Sequence, residues 1–448
     1  MRFWPSRTPA VDAAVSMDEA QPRAKPGEGK RFYGWKLLGA AAVINGLGGS
    51  VHWQGFTVFF LPVSQGLNLS SAQTALPFAL ARAEGGLVGP LTGWMIDKFG
   101  VRPLMLIGTI ITGVGYILLS TTSTYLAFVL VYLFVVSLGS STGFMQATTS
   151  ALNTWFVRRR GTVMGLNSAA FRLGGAFIVP LLSVAVLRWG WETAAFYVGF
   201  CMILLIAPLS LFFKRSPESI GQRPDGDPVS VVPEPVIDDA GPAKPAVAKV
   251  TSSDWTTDDA IRSRAFWVLA TATVLRMSVH GAIFVHFVPL LVWKGENQQV
   301  AANLVGAMAL CSVPVILIFG WLSDRTSRQV MLAVSYTSSA LALFLLTVVQ
   351  GTWPVFGAML FFIGSEAGSS LNWALVGDLF GRTRFATIRG LLAPMYNAAL
   401  LVTPVAVGWV YDTTGSYRPS LLIGAVLMLM AAFTFLQLRK PERASPEI

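Results

Sequence analysis

Charged side chains are scarce in this sequence of 448 residues. Only 12% of the residues are Asp, Glu, Lys or Arg and 53% are hydrophobic, with 14 Trp and 29 Phe. A soluble domain, in contrast, is roughly a quarter charged. This composition excludes a protein whose whole surface faces water.

Cysteine is also rare, and motifs of catalysis are missing. The two cysteines, Cys201 and Cys311, lie in apolar runs without C-x-x-C spacing, which favours small hydrophobic side chains over a disulfide or metal site. The sequence has no nucleophile–base constellation, no metal-ligand cluster and no phosphate-binding Gly-Lys-Ser/Thr loop. We therefore predict no enzyme activity, no cofactor, no metal and no mechanism driven by ATP.

Long apolar runs make up most of the chain instead. A helix needs about 20 apolar residues to cross a bilayer, and the alternating pattern of β-barrel strands is absent. The sequence predicts an all-α membrane protein with twelve transmembrane helices, at about 37–61, 73–95, 103–121, 124–149, 162–187, 193–213, 266–292, 300–322, 330–349, 353–377, 387–411 and 419–437.

Lysine and arginine are distributed unevenly between the two ends of these helices. With a cytoplasmic N-terminus, the inner side carries 27 of the 33, and the outer loops carry only Arg188, Lys294 and Arg418. This is the positive-inside pattern, and it predicts cytoplasmic N- and C-termini. The net charge of +10 therefore follows from membrane orientation and does not indicate nucleic-acid binding.

Polar segments divide the chain into regions. Residues 1–30 lack the apolar core of a signal peptide, and 214–264 is rich in Pro, Asp and Gly, a composition that predicts disorder and flexibility. Within the second segment only 254–264 is suited to a short surface helix. The predicted division is a disordered cytoplasmic tail at 1–30, an N-terminal six-helix bundle at 31–213, a cytoplasmic linker at 214–264, a C-terminal six-helix bundle at 265–440 and a cytoplasmic tail at 441–448. The absence of a cleavable signal and of an organelle address predicts a bacterial inner membrane, with a eukaryotic plasma membrane as the alternative.

The second half of the chain repeats the first. The loop 93–102, Gly-Trp-Met-Ile-Asp-Lys-Phe-Gly-Val-Arg, returns 227 residues later at 320–328 as Gly-Trp-Leu-Ser-Asp-Arg-Thr-Ser-Arg. Two other matches, 139–143 with 364–368 and Gly165 with Gly390, share an offset of 225. Agreement at separated places indicates an internal repeat.

The repeat is broken at two positions inside the spans. At the offset of 225, Ser141 of the first half corresponds to Glu366 in the second, and Arg172 corresponds to Asn397. A charge inside a membrane is costly unless it faces water or a partner, and it is therefore a candidate for function. We expect function at these two breaks.

The two six-helix halves, the central linker and the loop Gly-x-x-x-Asp-Lys/Arg-x-Gly-x-Arg after the second helix resemble the major facilitator superfamily of secondary transporters. The resemblance covers about 30–440 and implies two pseudo-symmetric bundles that rock about a site near the membrane midplane. It also implies a lock at the cytoplasmic ends of the helices, formed by Gly93, Asp97, Lys98, Gly100 and Arg102 and by their second copy, Asp324, Arg325 and Arg328. In that copy Ser327 replaces Gly100.

Within the superfamily, the stretches Tyr33-Gly34-Trp35 and Thr57-Val58-Phe59-Phe60 are similar to the monocarboxylate porter and oxalate/formate antiporter branch. That branch usually carries an acid and an arginine in its eighth helix, whereas 300–322 has no charge. Arg276 lies in the seventh helix, so the role of the branch's arginine is not carried over to it.

Seven side chains inside the spans are candidates for substrate binding or coupling: Arg276, His280, Glu366, Arg172, Arg82, Glu84 and His52. Arg276 and His280 share a helical face, and a buried arginine pairs bidentately with a carboxylate. Histidine or buried Glu can change charge, as proton coupling requires. Structural ion pairs are the alternative interpretation of these charges, and for Arg82 and Glu84 it carries equal weight.

We compare three functions with these patterns. The leading hypothesis is a monomeric transporter in the lipid bilayer for a small organic anion, most simply a carboxylate, working by proton coupling or by exchange. The alternative is an efflux pump for hydrophobic or cationic compounds, which the aromatic-rich spans fit and the excess of buried positive charge does not. The third is a nutrient sensor, which would need a folded soluble extension that the sequence does not predict.

Overall fold

The computed structural model describes residues 32–53, 55–69, 71–227 and 255–439. In these residues the regular structure is helical throughout. The predicted tails 1–30 and 441–448 and the middle of the predicted linker lie outside the described part. The described residues form twelve helical rods, named α1 to α12, with the bounds 34–53 continued by 56–66, Ser71–Phe99, Val101–Leu119, Tyr125–Trp155, 160–189, 191–212, Arg264–Trp293, Gln298–Ser323, Arg328–Val348, Thr352–Phe380, Phe385–Thr414 and Arg418–Leu436.

Eight helical segments of the described chain are long and apolar enough to cross a membrane, and one of them, Arg160–Phe212, contains both α5 and α6. The protein is therefore a multi-pass membrane protein, and the predicted all-α fold class is confirmed.

Glycines in the left-handed region separate neighbouring rods. Gly190, with φ 80° and ψ 162°, breaks the long helix Arg160–Cys201 into α5 and α6. Gly100, with φ 89°, does the same between α2 and α3. A side chain disfavours this conformation, and Ser327, which replaces glycine in the second copy of the loop, has φ −71° instead. The departure from the motif therefore reflects a different turn before α9.

The two halves pack through α2 against α11 and through α5 against α8. Small residues allow this close approach: a Cβ added to Gly89 would lie 2.7 Å from the Cβ of Ala393, and one added to Gly320 would lie 2.7 Å from the carbonyl oxygen of Gly161. These contacts lie toward the end of the bundles that carries Asp97, Arg160, Asp324 and Asp378. We call it the basic end, because its loops are rich in Lys and Arg.

The described ends of the predicted flexible linker contact the helical bundles. In 214–227, the side chain of Gln222 accepts a hydrogen bond from the backbone N–H of Tyr33 at 3.0 Å. At the other end a short helix, Thr257–Arg262, is present where the sequence suits one, and the backbone N–H of Trp255 donates to the carbonyl of Phe380 at 3.2 Å. Both described ends of the predicted linker therefore bond to the helical bundles, and its flexibility stays a prediction.

Candidate functional site

The two positions at which the repeat is broken meet in the structure. Nη2 of Arg172, on α5, donates a hydrogen bond to Oε2 of Glu366, on α10, in an ion pair between the halves. The side chain of Glu366 is only 6% exposed. Nδ1 of His280, on α7, lies 3.9 Å from the other carboxylate oxygen of Glu366. Three of the seven candidates thus form one cluster that joins the first half to the second.

Arg276 lies one turn before His280 on α7 and is completely buried, with 0% of its surface exposed. Among the described residues no hydrogen-bond partner is present for its Nε, Nη1 or Nη2 atoms. Glu366, the acid that lies beside His280, already bonds to Arg172. Among the described residues the guanidinium of Arg276 is therefore a buried cationic donor without an anion. An unpaired charge inside a protein is costly, so a bound anion would stabilise it.

Other polar groups of the C-terminal half are buried with Arg276 and were missed by the sequence analysis. The hydroxyl of Tyr336, on α9, lies against Gly368 of α10, and within the described chain it has no hydrogen-bond partner. Nδ2 of Asn372, on α10, also has none there, whereas its oxygen accepts from Thr273 at 3.2 Å. The only sequence signal for them is the polarity of two residues in apolar runs, which many core residues share.

The N-terminal half holds a second polar group of candidates. The hydroxyl of Ser137, on α4, donates to Oε2 of Glu84, on α2, and Oγ of Ser140 lies 3.0 Å from Nε2 of His52, on α1. Ser137 ends a π-helical turn in α4, and a second π-turn precedes His52; such turns are frequent at functional sites. The side chain of Arg82 lies outside the described part of the chain.

At the basic end, the acid of each repeated loop caps a helix of the opposite half. The carboxylate of Asp97 accepts from the backbone N–H of Thr387 at 2.8 Å and from its hydroxyl at 2.6 Å, at the start of α11. The carboxylate of Asp324 makes the same contacts with Thr162, at 2.8 and 2.7 Å, at the start of α5. A carboxylate at a helix N-terminus satisfies free N–H groups and the helix dipole. The second copy of the loop therefore makes the same contact as the first.

Ion pairs extend this contact in the second copy. Arg328 bonds to Asp324 and to Asp378, and Asp378 also accepts from Arg160 at 2.9 Å. Asp378 thereby joins α10 to the start of α5.

Among the described residues, the remaining bases of the repeated loops form no ion pair with Asp97 or Asp324. Nζ of Lys98 lies 4.5 Å from the ring centroid of Trp94, Arg325 stacks on Trp321 at 3.8 Å, and Arg102 is exposed. They thus remain at the basic surface.

Residues 38–373 and 295–447 match the family model described as Major Facilitator Superfamily. This chain belongs to that superfamily. Proteins of the superfamily are transporters, so the prediction that the chain is not an enzyme is confirmed.

Curated relatives of this superfamily member include monocarboxylate transporters. Human monocarboxylate transporter 11 is 25% identical over 440 residues, covering 93% of this chain and 85% of the relative. A protein of Cupriavidus necator named probable sulfoacetate transporter SauU is 25% identical over 381 residues, covering 82% of this chain and 85% of the relative. The resemblance to the monocarboxylate branch is thus confirmed.

Solved structures of the superfamily share the fold. The transporter FucP in the outward conformation matches with a TM-score of 0.70 and 14% identity, over 92% of this chain and 100% of that one. The proton:xylose symporter XylE matches with a TM-score of 0.64 and 16% identity, over 91% and 94%. Two pseudo-symmetric six-helix bundles are therefore the architecture of this superfamily member.

The third histidine of this transporter has a structural role. On α7, Nε2 of His286 lies 2.9 Å from the carbonyl oxygen of Pro404, and Nδ1 lies 3.2 Å from the hydroxyl of Tyr417. In a neutral ring the nitrogen that faces a carbonyl oxygen carries the proton, and Nδ1 then accepts from Tyr417. His286 therefore ties α7 to α11 and to the start of α12.

The linker also touches both halves at the basic end. The carboxylate of Asp225 accepts from the backbone N–H groups of Val157 and Arg158 at 3.0 and 2.9 Å, and Arg382 bonds to Glu218 at 2.8 Å. Partial burial raises the pKa of Glu218, but hydrogen bonds from Arg382, from the backbone and from Ser216, together with the charge of Arg382, outweigh it, and the net shift of this pKa is downward. The segment 214–227 thus bonds to the half that follows it as well as to the half that precedes it.

Proposed function

We propose that this protein, a secondary transporter of small organic anions, carries a carboxylate across the membrane by alternating access, coupled to protons or by exchange. The single observation that carries the proposal is Arg276, a fully buried guanidinium whose nitrogen atoms have no partner among the described residues. A planar carboxylate matches such a donor group bidentately. A cationic substrate, in contrast, would add to the positive charge.

The names of the relatives support an oxyanion substrate. One relative is named as a monocarboxylate transporter and another as a probable sulfoacetate transporter, and carboxylates and sulfonates share the need for a cationic donor. Because Arg276 has no exposed surface in this conformation, the substrate would reach it when the halves move apart.

Glu366 is the coupling residue that we assign to this mechanism. Its carboxylate bonds to Arg172 of the other half and lies near His280. Protonation of Glu366 would remove the charge that holds Arg172 and would release the halves from one another. An arriving anion could replace that charge beside the arginines, and this replacement would link proton and anion movement.

We also place this protein as a monomer in a bacterial inner membrane, with the basic end and both termini in the cytoplasm. The excess of Lys and Arg in the loops of this end supports the orientation. The caps by Asp97 and Asp324 close the basic end, which is the cytoplasmic side in this orientation.

The test is the external pH of de-energised cells that overproduce the protein, while mono- and dicarboxylates are added one at a time. Symport predicts alkalinisation with at least one acid in the wild type and none in Arg276→Gln. The matched control is Arg188→Gln, an exposed base of an outer loop, which should keep the signal. Protein levels in the membrane are measured for each variant.

Other outcomes of this test are equally informative. A flat trace across the panel, together with no exchange of labelled carboxylate, would contradict carboxylate transport and favour efflux of cations. An unchanged signal in Arg276→Gln would remove Arg276 from the substrate path.

A further inference from the structure

A side cavity lies far from the basic end, in the C-terminal half. It has a volume of about 150 Å³ and lies between α7, α11 and α12. Its lining is almost entirely apolar and includes Ile283, Val407 and Leu427. Ala406 and Ile423 also line it and are exposed on the outer surface of the bundle, so the cavity opens sideways, toward the position of the lipid chains.

Polar groups gather at one rim of this cavity. His286 and Tyr417, which bond to each other, are part of the lining. Ser420 also lines it, and within the described chain its buried hydroxyl has no hydrogen-bond partner. An apolar chain alone would leave that hydroxyl unsatisfied, whereas an ester carbonyl could accept its proton.

Two of the three bases of the outer loops lie beside this rim. Arg418 begins α12 directly after Tyr417, and Lys294 follows Trp293, whose ring centroid is 5.8 Å from that of Tyr417. Nζ of Lys294 donates to the carbonyl of Val349 at 2.7 Å. Partial burial, and then the positive charge of Arg418, lower the pKa of Lys294, as expected for two cations held close together.

Acids of the same end do not neutralise these two bases directly. Glu296 and Asp412 are near in sequence to Lys294 and Arg418, but within the described residues no ion pair joins them. Two cations and an unsatisfied hydroxyl thus lie at the rim of an apolar cavity that opens to the bilayer.

We propose that this cavity binds an anionic glycerophospholipid, with part of one acyl chain between α7, α11 and α12, an ester carbonyl at Ser420 and the phosphate at Lys294 and Arg418. A cavity of this size accommodates a benzene ring, so it takes a short segment of the chain and leaves the rest in the bilayer. The bound lipid fills the space between α11 and α12 and thereby holds them in a fixed arrangement.

The test compares lipids of identical acyl chains and different headgroups on the full-length protein purified in a neutral detergent. Native mass spectrometry counts bound phosphatidylglycerol and bound phosphatidylcholine at equal concentration. We expect preferential retention of phosphatidylglycerol by the wild type. Loss of two bases near a membrane surface should weaken this binding roughly 30-fold at low salt in the double variant Lys294→Gln, Arg418→Gln.

Matched variants make the result specific. Arg188→Gln removes the third outer base, in the other half, and should keep the preference. Ala406→Phe should lower retention of phosphatidylglycerol by placing a ring in the mouth of the cavity, and Ser420→Ala should lower it by a smaller factor. Equal retention of the two lipids by the wild type, or equal loss in Arg188→Gln, would overturn the proposal. So would full competition by inorganic phosphate at the same concentration, because the occupant would then be a free anion.

Discussion

The ion pair of Arg172 and Glu366 is held by residues of opposite halves, and 194 positions separate them in sequence. Taking two charges out of water costs several kcal/mol for each ion, and their attraction offsets that cost only while both are present. Removal of one charge should therefore be worse for folding than removal of both.

A double-mutant cycle at this pair tests that reasoning. Arg172→Gln and Glu366→Gln should each lower the free energy of unfolding by about 3 kcal/mol, because one buried charge is left alone. The double variant should lose less than the sum of the two. The measurement is the thermal unfolding midpoint in detergent.

A surface pair in the same protein provides the control for this cycle. Arg158 and Asp227 form an ion pair with 67% and 44% of their side chains exposed. Arg158→Gln should change the stability by less than about 1 kcal/mol. Additive losses at Arg172 and Glu366 would show that the two charges do not depend on each other.

At the scale of helices, the packing of α2 on α11 depends on which glycine faces the partner helix. A Cβ at Gly89 would meet Ala393 at 2.7 Å and the carbonyl oxygen of Gly390 at 3.3 Å, whereas a Cβ at Gly85, one turn earlier, has no atom of another element within 4 Å. Both positions lie inside a helix, so their intrinsic preference for alanine is the same.

The same substitution should consequently have opposite effects at these two positions. Gly85→Ala should stabilise the protein by up to about 1 kcal/mol through helix propensity. Gly89→Ala should destabilise it by about 1–3 kcal/mol, because the added methyl group overpacks the interface. Thermal unfolding of the two purified variants measures the difference. Equal midpoints would mean that α2 and α11 do not pack this closely.

At the scale of the whole molecule, two related caps close the basic end. Asp97 and Asp324 each hold a helix of the other half, and loss of one cap costs about 1 kcal/mol. Alanine at one of them should shift the equilibrium toward the state open at this end by roughly 5-fold, and alanine at both by roughly 30-fold.

Ser323→Cys reports this opening, in a protein whose two native cysteines are replaced by serine. Ser323 is 2% exposed and lies at the interface of α5 and α8 against Gly161. A membrane-impermeant thiol reagent should label this cysteine faster in the variants without caps, and only from the cytoplasmic side. Labelling from the outside of intact cells would contradict the proposed orientation. Equal rates in all variants would contradict the role of the caps.

Much of the fold could be predicted from the sequence because local patterns determine it. Apolar runs of sufficient length predicted the helices, and the break near Gly190 was expected between the predicted spans 162–187 and 193–213. The repeat also identified Arg172 and Glu366 as exceptional. Local patterns carry no information about how the two halves pack against each other, so they could not predict that these two residues bond to each other. For the same reason, only the three-dimensional structure shows that Arg276 has no hydrogen-bond partner among the described residues.

The cross-half ion pair has a consequence for how the chain is made. Arg172 leaves the ribosome 194 residues before Glu366, a delay of roughly 10 to 40 s at ordinary rates of synthesis. During that time the newly inserted N-terminal half must keep a charged side chain in the membrane without its carboxylate. The insertion machinery, water or lipid headgroups must solvate it until the tenth helix arrives. An N-terminal half produced alone would remain in that unfinished state.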